Sequence, residues 1–191
     1  MGLDSMKIFD SVERYFKVSL SEDEVDSINT VGDIAEQVSK HIVFKPEGIS
    51  KPEMMFGILK DYVPPEFGYP KEEFTLATVI KDFIPVKKAQ LYWDKMAADF
   101  NIALPHLKPA DVNTRINPAN MLQGESLTDN TVFDLVCWIL ALNYEKLIIP
   151  TKLVSKTEVE LVVIGIINEI TGINVEDIAL EYDILEDLGI R

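Results

Sequence analysis

The chain has 191 residues, of which 47% are hydrophobic, so it is long and apolar enough for one or two packed domains. Its formal net charge of −14 argues against binding to nucleic acid or to an anionic membrane surface. A single cysteine excludes an internal disulfide framework, and no apolar run reaches the ~20 residues that cross a bilayer. We therefore expect a soluble cytoplasmic protein with no export signal and no membrane span, whose partners carry basic patches.

Residues 1–42 are predicted to form three short helices. Ser5 can cap the first of them. The apolar stripe of that helix comprises Met6, Phe9, Val12 and Phe16. The acidic stretch "SEDEVDSI" suits a short second helix, in which Val25 and Ile28 face inward. Asn29 or Thr30 can cap the third helix, whose apolar face comprises Val31, Ile34, Val38 and Ile42.

The middle of the chain begins with a linker from Lys45 to Pro52, which carries proline and glycine and marks a boundary. The segment "EMMFGILKDYV" is predicted to be helical until Pro64 and Pro65 stop it. The period of "LATVIKDF" fits either a short helix or an extended piece. A further helix after Pro85 has apolar residues at helical spacing, namely Ala89, Tyr92, Met96 and Phe100.

The last third of the chain contains two more predicted helices. Residues 104–120 are rich in proline and asparagine and indicate a loop, after which a strongly apolar helix is capped near Asp129 or Thr131. An amphipathic helix is predicted from Thr157 to Thr171, with Gly172 as its left-handed C-cap. No segment shows the clean alternation of a half-buried strand, so the predicted fold class is all-α.

Charge divides the chain more sharply than hydrophobicity does. Residues 1–42 carry nine acidic and four basic side chains, and residues 157–191 carry nine and one. Residues 43–156 carry fourteen acidic and thirteen basic side chains. The two ends therefore share an acidic surface that the middle lacks.

Two short motifs at the N-terminal end resemble those of the acyl carrier protein family. The stretch "GLDSM" (Gly2 to Met6) resembles the family's cofactor-attachment motif, and "TVGD" from Thr30 resembles the start of its last helix. Residues 157–191 resemble the first helix and long first loop of a carrier, ending on the "EDLG" that normally leads into the serine. The resemblance implies a four-helix carrier bundle whose helices two to four lie in residues 1–44 and whose first helix and loop lie in residues 151–191.

The middle, residues 45–150, resembles a second four-helix carrier bundle in topology only. Laid on the attachment motif, "IKDFIPVKK" puts Lys87 or Lys88 where the serine should be. The resemblance therefore implies two acyl-carrier-like modules, of which the middle one lacks the attachment residue and is not a carrier.

In this family the serine hydroxyl receives 4′-phosphopantetheine from coenzyme A, so the resemblance implies that Ser5 carries this cofactor. A helix N-terminus favours the resulting phosphodiester anion. The implied function is to carry acyl intermediates as thioesters in fatty-acid, lipid or polyketide-type synthesis, without being an enzyme. The implied partners are a phosphopantetheinyl transferase and acyl-transferring or condensing enzymes, which recognise an acidic surface.

The resemblance also assigns roles around Ser5. Gly2 would permit close approach of the transferase and the cofactor, and Asp4 would be the polar neighbour of the serine. Leu3 and Met6 would flank the site with apolar contacts. Asp10 and Glu13 on the same helix resemble the acidic face that carriers offer to basic enzyme patches.

Other interpretations remain open from the sequence. Asp4-Ser5 could be a helix cap and nothing more, and the fold could serve as a protein–protein interaction module without a cofactor. An enzyme with an unrecognised active site is a further alternative. The two chain ends could pair within one chain or between chains, as a domain-swapped dimer or head to tail, and the chain could belong to a longer run of carrier repeats.

The remaining reactive and aromatic residues suggest structural roles. Cys137, Trp93 and Trp138 lie in apolar helical patterns and are expected in the core. His41 and His106 have no cysteine or carboxylate at metal-ligand spacing. The stretch "EYDILED" lacks the alternating oxygen ligands and central glycine of a calcium loop. The sequence therefore predicts no metal site.

Overall fold

The computed structural model describes residues 3–112 and 126–190, without the side chain of Leu3. Within these ranges the regular structure is helical, and extended pairing is limited to two isolated bridges, Thr30 with Asp183 and Val79 with Thr131. The all-α prediction is therefore confirmed. The expectations for Gly2, for residues 113–120 of the predicted loop and for the end of the chain at Arg191 lie outside the described residues.

The helices are α1 (Leu3–Phe16), α2 (Glu22–Asp26), α3 (Val31–Lys40), α4 (Lys51–Phe67), α5 (Ile80–Phe83), α6 (Ala89–Phe100), α7 (Pro109–Val112), α8 (Val132–Leu142), α9 (Tyr144–Leu147) and α10 (Lys156–Thr171). The chain forms two compact units. The first unit comprises residues 1–51 and 140–191, and the second unit comprises residues 52–139. The first unit extends further than the module boundaries expected near residues 44 and 151, because the linker belongs to it: the Lys45 amide donates to the Leu153 carbonyl at 2.8 Å.

In the first unit, α10 packs against both α1 and α3, and α1 packs against α3. These helices bury apolar stripes that together form the core of the unit; its fully buried members include Ile8, Val12, Val31, Ile34, Val38, Val159, Val162, Ile166 and Ile167. The predicted C-cap of α10 is confirmed, since Gly172 has a φ of 75°. Helices from the two ends of the chain therefore share one core within a single chain.

The segment after α10 is attached to the start of α3 by backbone hydrogen bonds. The Gly32 amide donates to the Leu180 carbonyl at 2.8 Å, and the Ile184 amide donates to the Asn29 carbonyl at 3.0 Å. Thr30 caps α3, as predicted: its hydroxyl accepts from the Asp33 amide at 3.2 Å, and the Asp33 carboxylate accepts from the Thr30 amide at 2.9 Å.

The second unit repeats this hydrogen-bond pattern at the start of α8. Thr131 accepts from the Asp134 amide, and the Asp134 carboxylate accepts from the Thr131 amide at 2.9 Å. The Phe133 amide donates to the Leu76 carbonyl at 2.9 Å, as the Gly32 amide does to the Leu180 carbonyl in the first unit. The Ile80 amide donates to the Asn130 carbonyl at 2.9 Å, as the Ile184 amide does to the Asn29 carbonyl. The two units thus contain an internal structural repeat around a capped helix and the loop paired with it.

Helices α1 and α6 also correspond in burial. Ser5, Phe9 and Val12 are buried along α1, and the residues buried at the same spacing along α6 are Ala89, Trp93 and Met96. Ala89 therefore occupies the position of Ser5 in the second unit. The expectation of Lys87 or Lys88 at this position was wrong, because both lysines lie in the exposed 3-10 turn that precedes α6.

Two expectations about α1 were also wrong. The helix begins at Leu3, so Ser5 lies within its first turn and is not its cap. Met6 is 53% exposed, and Ile8, at 1%, occupies the buried stripe in its place. The other predicted stripe residues of α1, Phe9, Val12 and Phe16, are buried.

Helix α4 continues through Pro64 and Pro65 to Phe67, although these prolines were expected to end it. Val63 and Pro64 are buried, so packing stabilises this last turn despite the missing amide donors. The helix stops at Gly68, whose φ of 75° favours glycine.

The remaining elements agree only partly with the sequence. The ambiguous "LATVIKDF" contains the short helix α5, the expected loop contains α7, and the apolar helix is interrupted at Asn143 between α8 and α9. Ile42 lies beyond the end of α3. Trp93 is buried, as predicted, whereas Trp138 and Cys137 are only half-buried.

Candidate functional site

Ser5 has an unsatisfied hydroxyl group. The residue is 4% exposed, and its Oγ is the one buried side-chain nitrogen or oxygen atom among the described residues that has no hydrogen-bond partner. Leaving a buried polar group unpaired costs about 1–3 kcal/mol, so such an atom in a native fold indicates a functional role or a missing partner.

The Ser5 side chain lines a cavity of about 230 Å³ in the first unit. Helix α1 contributes Ser5 and Phe9 to its wall, and the C-terminal segment contributes Asp183, Ile184 and Leu185. The third wall is α2 and the residues after it, with Val25, Asp26, Ile28 and Asn29. Apolar side chains thus surround the hydroxyl, and carboxylates are also present.

The lining set contains two carboxylates but no histidine or lysine that could take a proton from Ser5. The Asp183 carboxylate is engaged locally, since its Oδ1 accepts from the Leu185 and Glu186 amides at 2.8 Å each. The described site can therefore offer a hydroxyl to a reaction, and the titratable groups in its lining are the carboxylates of Asp26 and Asp183.

The packing of α1 fixes the orientation of Ser5. Val12 and Phe16 on the same face of α1 are buried. Near the end of the helix, the Tyr15 hydroxyl donates to the Ile148 carbonyl at 2.6 Å. Burial, followed by the nearby Glu145 carboxylate, raises the pKa of Tyr15 to about 12.

The other residues that the sequence assigned to the site lie in different environments. Asp4 is half-exposed, and its carboxylate pairs with the Lys7 ammonium at 2.9 Å. Met6 and Asp10 are exposed, so both are accessible to a partner. The Glu13 carboxylate instead accepts from the Leu20 amide at 2.6 Å and stabilises the turn after α1. The side chain of Leu3 lies outside the described residues.

The α2 wall is surrounded by ionised groups. The Ser21 backbone amide, followed by His41 and the Ser21 hydroxyl, lowers the pKa of Glu24 to about 2. Hydrogen bonds from the amides of Thr30 and Asn29 hold the pKa of Asp33 below its usual value. These carboxylates remain ionised at neutral pH and give this end of the unit a negative potential.

The described residues contain no group of three or more histidine, cysteine or acidic side chains placed to hold a metal ion. His41 Nε2 lies 2.8 Å from Glu24 Oε1, and His106 is exposed. None of the helices described is both long and apolar enough to cross a membrane.

Sequence reasoning identified Ser5 but missed most of the cavity around it. Val25 and Ile28 were expected to face inward, and they do line the cavity. The resemblance placed Asp183 and Ile184 in the first carrier loop that leads into the serine, but it assigned neither residue to the site. Their role depends on the pairing of Asp183 with Thr30, which connects opposite ends of the chain and leaves no local signal in the sequence.

Comparison with known proteins leaves the family of this chain open. No protein-family model, curated protein sequence or solved structure matches it. The features of this chain that point to a function are therefore the "GLDSM" and "TVGD" motifs and the geometry around Ser5.

Proposed function

We propose that this chain is an acyl carrier protein whose Ser5 is the attachment residue for 4′-phosphopantetheine. The observation that carries this proposal is the unpartnered Ser5 hydroxyl in the first turn of α1, beside a cavity. The serine oxygen would form a bond to a phosphorus atom of coenzyme A as the nucleotide portion leaves. The hydroxyl proton would pass to a base of the transferase or to a carboxylate of the cavity lining, which contains Asp26 and Asp183.

The residues present fit the proposed group. Ser5 lies three positions into α1, close enough for the helix dipole to stabilise a phosphodiester anion. When bound, the cofactor supplies a thiol that holds an acyl group as a thioester. The exposed Met6 and Asp10 provide an apolar and an acidic contact for a partner, whereas Glu13 is already engaged in the turn.

The packing of α10 against α1 and α3 supports the proposal that the two segments of the carrier module pair within one chain. Helix α10 takes the place of the first carrier helix against α1 and α3. In the second unit Ala89 occupies the position of Ser5, which supports a module with no attachment residue there. The proposal places the protein in the cytoplasm, with a phosphopantetheinyl transferase and acyl-transferring or condensing enzymes as partners. A domain-swapped dimer remains an alternative that size measurements in solution would reveal.

The experiment is intact mass spectrometry after incubation with coenzyme A and a broad-specificity phosphopantetheinyl transferase. The parent chain is expected to gain one phosphopantetheine, and Ser5→Ala is expected to gain none. Ser11→Ala is the matched control, because it also removes a serine hydroxyl from α1. That hydroxyl accepts a hydrogen bond from the Arg14 guanidinium, and its loss should leave the gain of phosphopantetheine unchanged. No gain by a folded parent chain would refute the proposal.

The second candidate function is a protein–protein interaction module that keeps the carrier fold without the cofactor. The specific observation in its favour is the burial of Ser5, which at 4% exposure is not accessible to a transferase in this conformation. An unmodified but folded parent chain in the same experiment would support this candidate.

A further inference from the structure

Ser5 can react with a partner only after part of its cavity wall moves, because its hydroxyl is buried. That a partner needs to reach Ser5 in order to modify it rests on the proposed function. The described residues form three walls of the cavity, α1, the C-terminal segment and α2, and these walls are held in place by different numbers of interactions.

The C-terminal wall is firmly attached. The amides of Val31 and Gly32 donate to the carbonyls of Tyr182 and Leu180 at 3.2 and 2.8 Å. Further along this segment, the Ile184 amide donates to the Asn29 carbonyl at 3.0 Å. Ile178, Ile184 and Ile190 are at most 6% exposed, so displacing this segment would break backbone bonds and expose apolar core.

The α2 wall is held much more weakly. None of its five residues is buried, and Val25 and Ile28, which face the cavity, are only half-buried. Its capping box joins Ser21 to Glu24 and is internal to the helix. Lifting α2 would therefore expose little apolar surface of α2 itself.

Both ends of the α2 segment are anchored. On one side Leu20 is 9% exposed, and its amide donates to the Glu13 carboxylate at 2.6 Å. On the other side the amides of Asn29 and Thr30 donate to the Asp33 carboxylate at 3.0 and 2.9 Å. The anchored ends confine movement to residues 21–28.

Two side-chain contacts connect α2 and the serine that follows it to α3 and to its C-cap residue, His41. His41 Nε2 lies 2.8 Å from Glu24 Oε1, and Gln37 Nε2 donates to Ser27 Oγ at 2.7 Å. We infer that α2 is the gate of the Ser5 cavity and that the His41–Glu24 and Gln37–Ser27 contacts form the latch that holds it closed. Opening this gate exposes the Ser5 hydroxyl while the core of the first unit stays intact.

The test uses a Ser5→Cys variant in a Cys137→Ala background, so that position 5 carries the single thiol of the chain. The rate at which a soluble disulfide reagent modifies this thiol reports gate opening without any transferase. His41→Ala or Gln37→Ala is expected to raise the rate by about two- to fivefold, the factor for loss of one exposed polar contact. Combining both substitutions is expected to raise it further.

The matched control is Glu36→Gln, which weakens a different exposed ion pair of α3. In that pair the Lys156 ammonium lies 2.6 Å from the Glu36 carboxylate, and α2 takes no part in the contact. This control should leave the rate unchanged. Amide hydrogen exchange of the unmodified chain should show residues 21–28 opening before residues 180–184. The inference would be overturned if His41→Ala and Gln37→Ala left the labelling rate of the thiol unchanged. It would also be overturned if residues 180–184 exchanged before residues 21–28.

The two proposals can fail separately. If the thiol responds to the latch variants but Ser5 is never loaded by a transferase, the gate stands and the carrier function fails. If Ser5 is loaded but the latch variants change neither the labelling nor the loading rate, the carrier function stands and the gate fails.

Discussion

Gly165 in the middle of α10 tests how tightly the first unit is packed. A β-carbon at this position would lie 2.5 Å from Tyr144 Cδ1, and it would also overlap the Ala141 carbonyl oxygen. A tyrosine ring can move, but the backbone carbonyl can move only if the end of α8 shifts with it. Replacing glycine by alanine inside an exposed helix normally stabilises by about 0.5–1 kcal/mol. Overpacking costs about 1–3 kcal/mol or more, so it outweighs this gain.

We therefore expect Gly165→Ala to lower the free energy of unfolding by about 2 kcal/mol. The matched control is Gly57→Ala in α4, where a β-carbon meets no atom within 4 Å, and a gain of about 0.5–1 kcal/mol is expected. Urea unfolding followed by circular dichroism measures both variants. Fluorescence of Trp93 and Trp138, which both lie in the second unit, separates the two units. A Gly165→Ala protein as stable as the parent would refute the packing argument.

Three further predictions concern buried or shifted ionisable groups. Glu158 is fully buried, and its carboxylate accepts hydrogen bonds from the amides of Lys51 and Val154 at 2.7 and 2.5 Å. Glu158→Leu leaves both amides without an acceptor and should lower the free energy of unfolding, measured in urea, by about 2–4 kcal/mol. Glu158→Gln keeps an acceptor oxygen and should lower it less. Because the folded pKa of Tyr15 is raised to about 12, its contribution to stability is present below pH 10 and lost as pH rises to about 12. Burial and the Glu169 carboxylate also raise the pKa of Tyr144, so absorbance titration at high pH should show both tyrosines ionising late, and Tyr15→Phe should reduce the amplitude of that late step by one tyrosine. Because the folded pKa of Glu24 is lowered to about 2, its contribution is present above about pH 4.5 and lost as pH falls to about 2. The protection factors of residues 21–28, obtained from amide exchange after correction for the intrinsic pH dependence, should fall across that acidic range in the parent but not in Glu24→Gln.

Local signals in the sequence predicted much of the helical structure. The cap of α3, predicted at Asn29 or Thr30 and found at Thr30, the Gly172 C-cap and the range of α10 all depend on residues close together in the chain. The errors occur where packing decides the outcome. Helix α4 continues through two prolines where Val63 and Pro64 are buried, and after the interruption at Asn143 the short helix α9 packs against α10.

The candidate site was predictable only in part, for the same reason. The "GLDSM" motif identified Ser5, but neither the burial of its hydroxyl nor the contribution of Ile184 to the cavity could be inferred from a linear pattern. The assignment of Lys87 or Lys88 to the serine position failed because sequence spacing does not fix the register of a helix. Burial along α6 places Ala89 there.

The central claim is that Ser5 is the single attachment residue in a module built from both ends of the chain. Peptide mapping by mass spectrometry, after transferase and coenzyme A have acted on the folded chain of 191 residues, tests it most directly. We predict one phosphopantetheine per chain, located on the peptide that contains Ser5. A folded chain without modification, or a modification on any other residue, would contradict the claim.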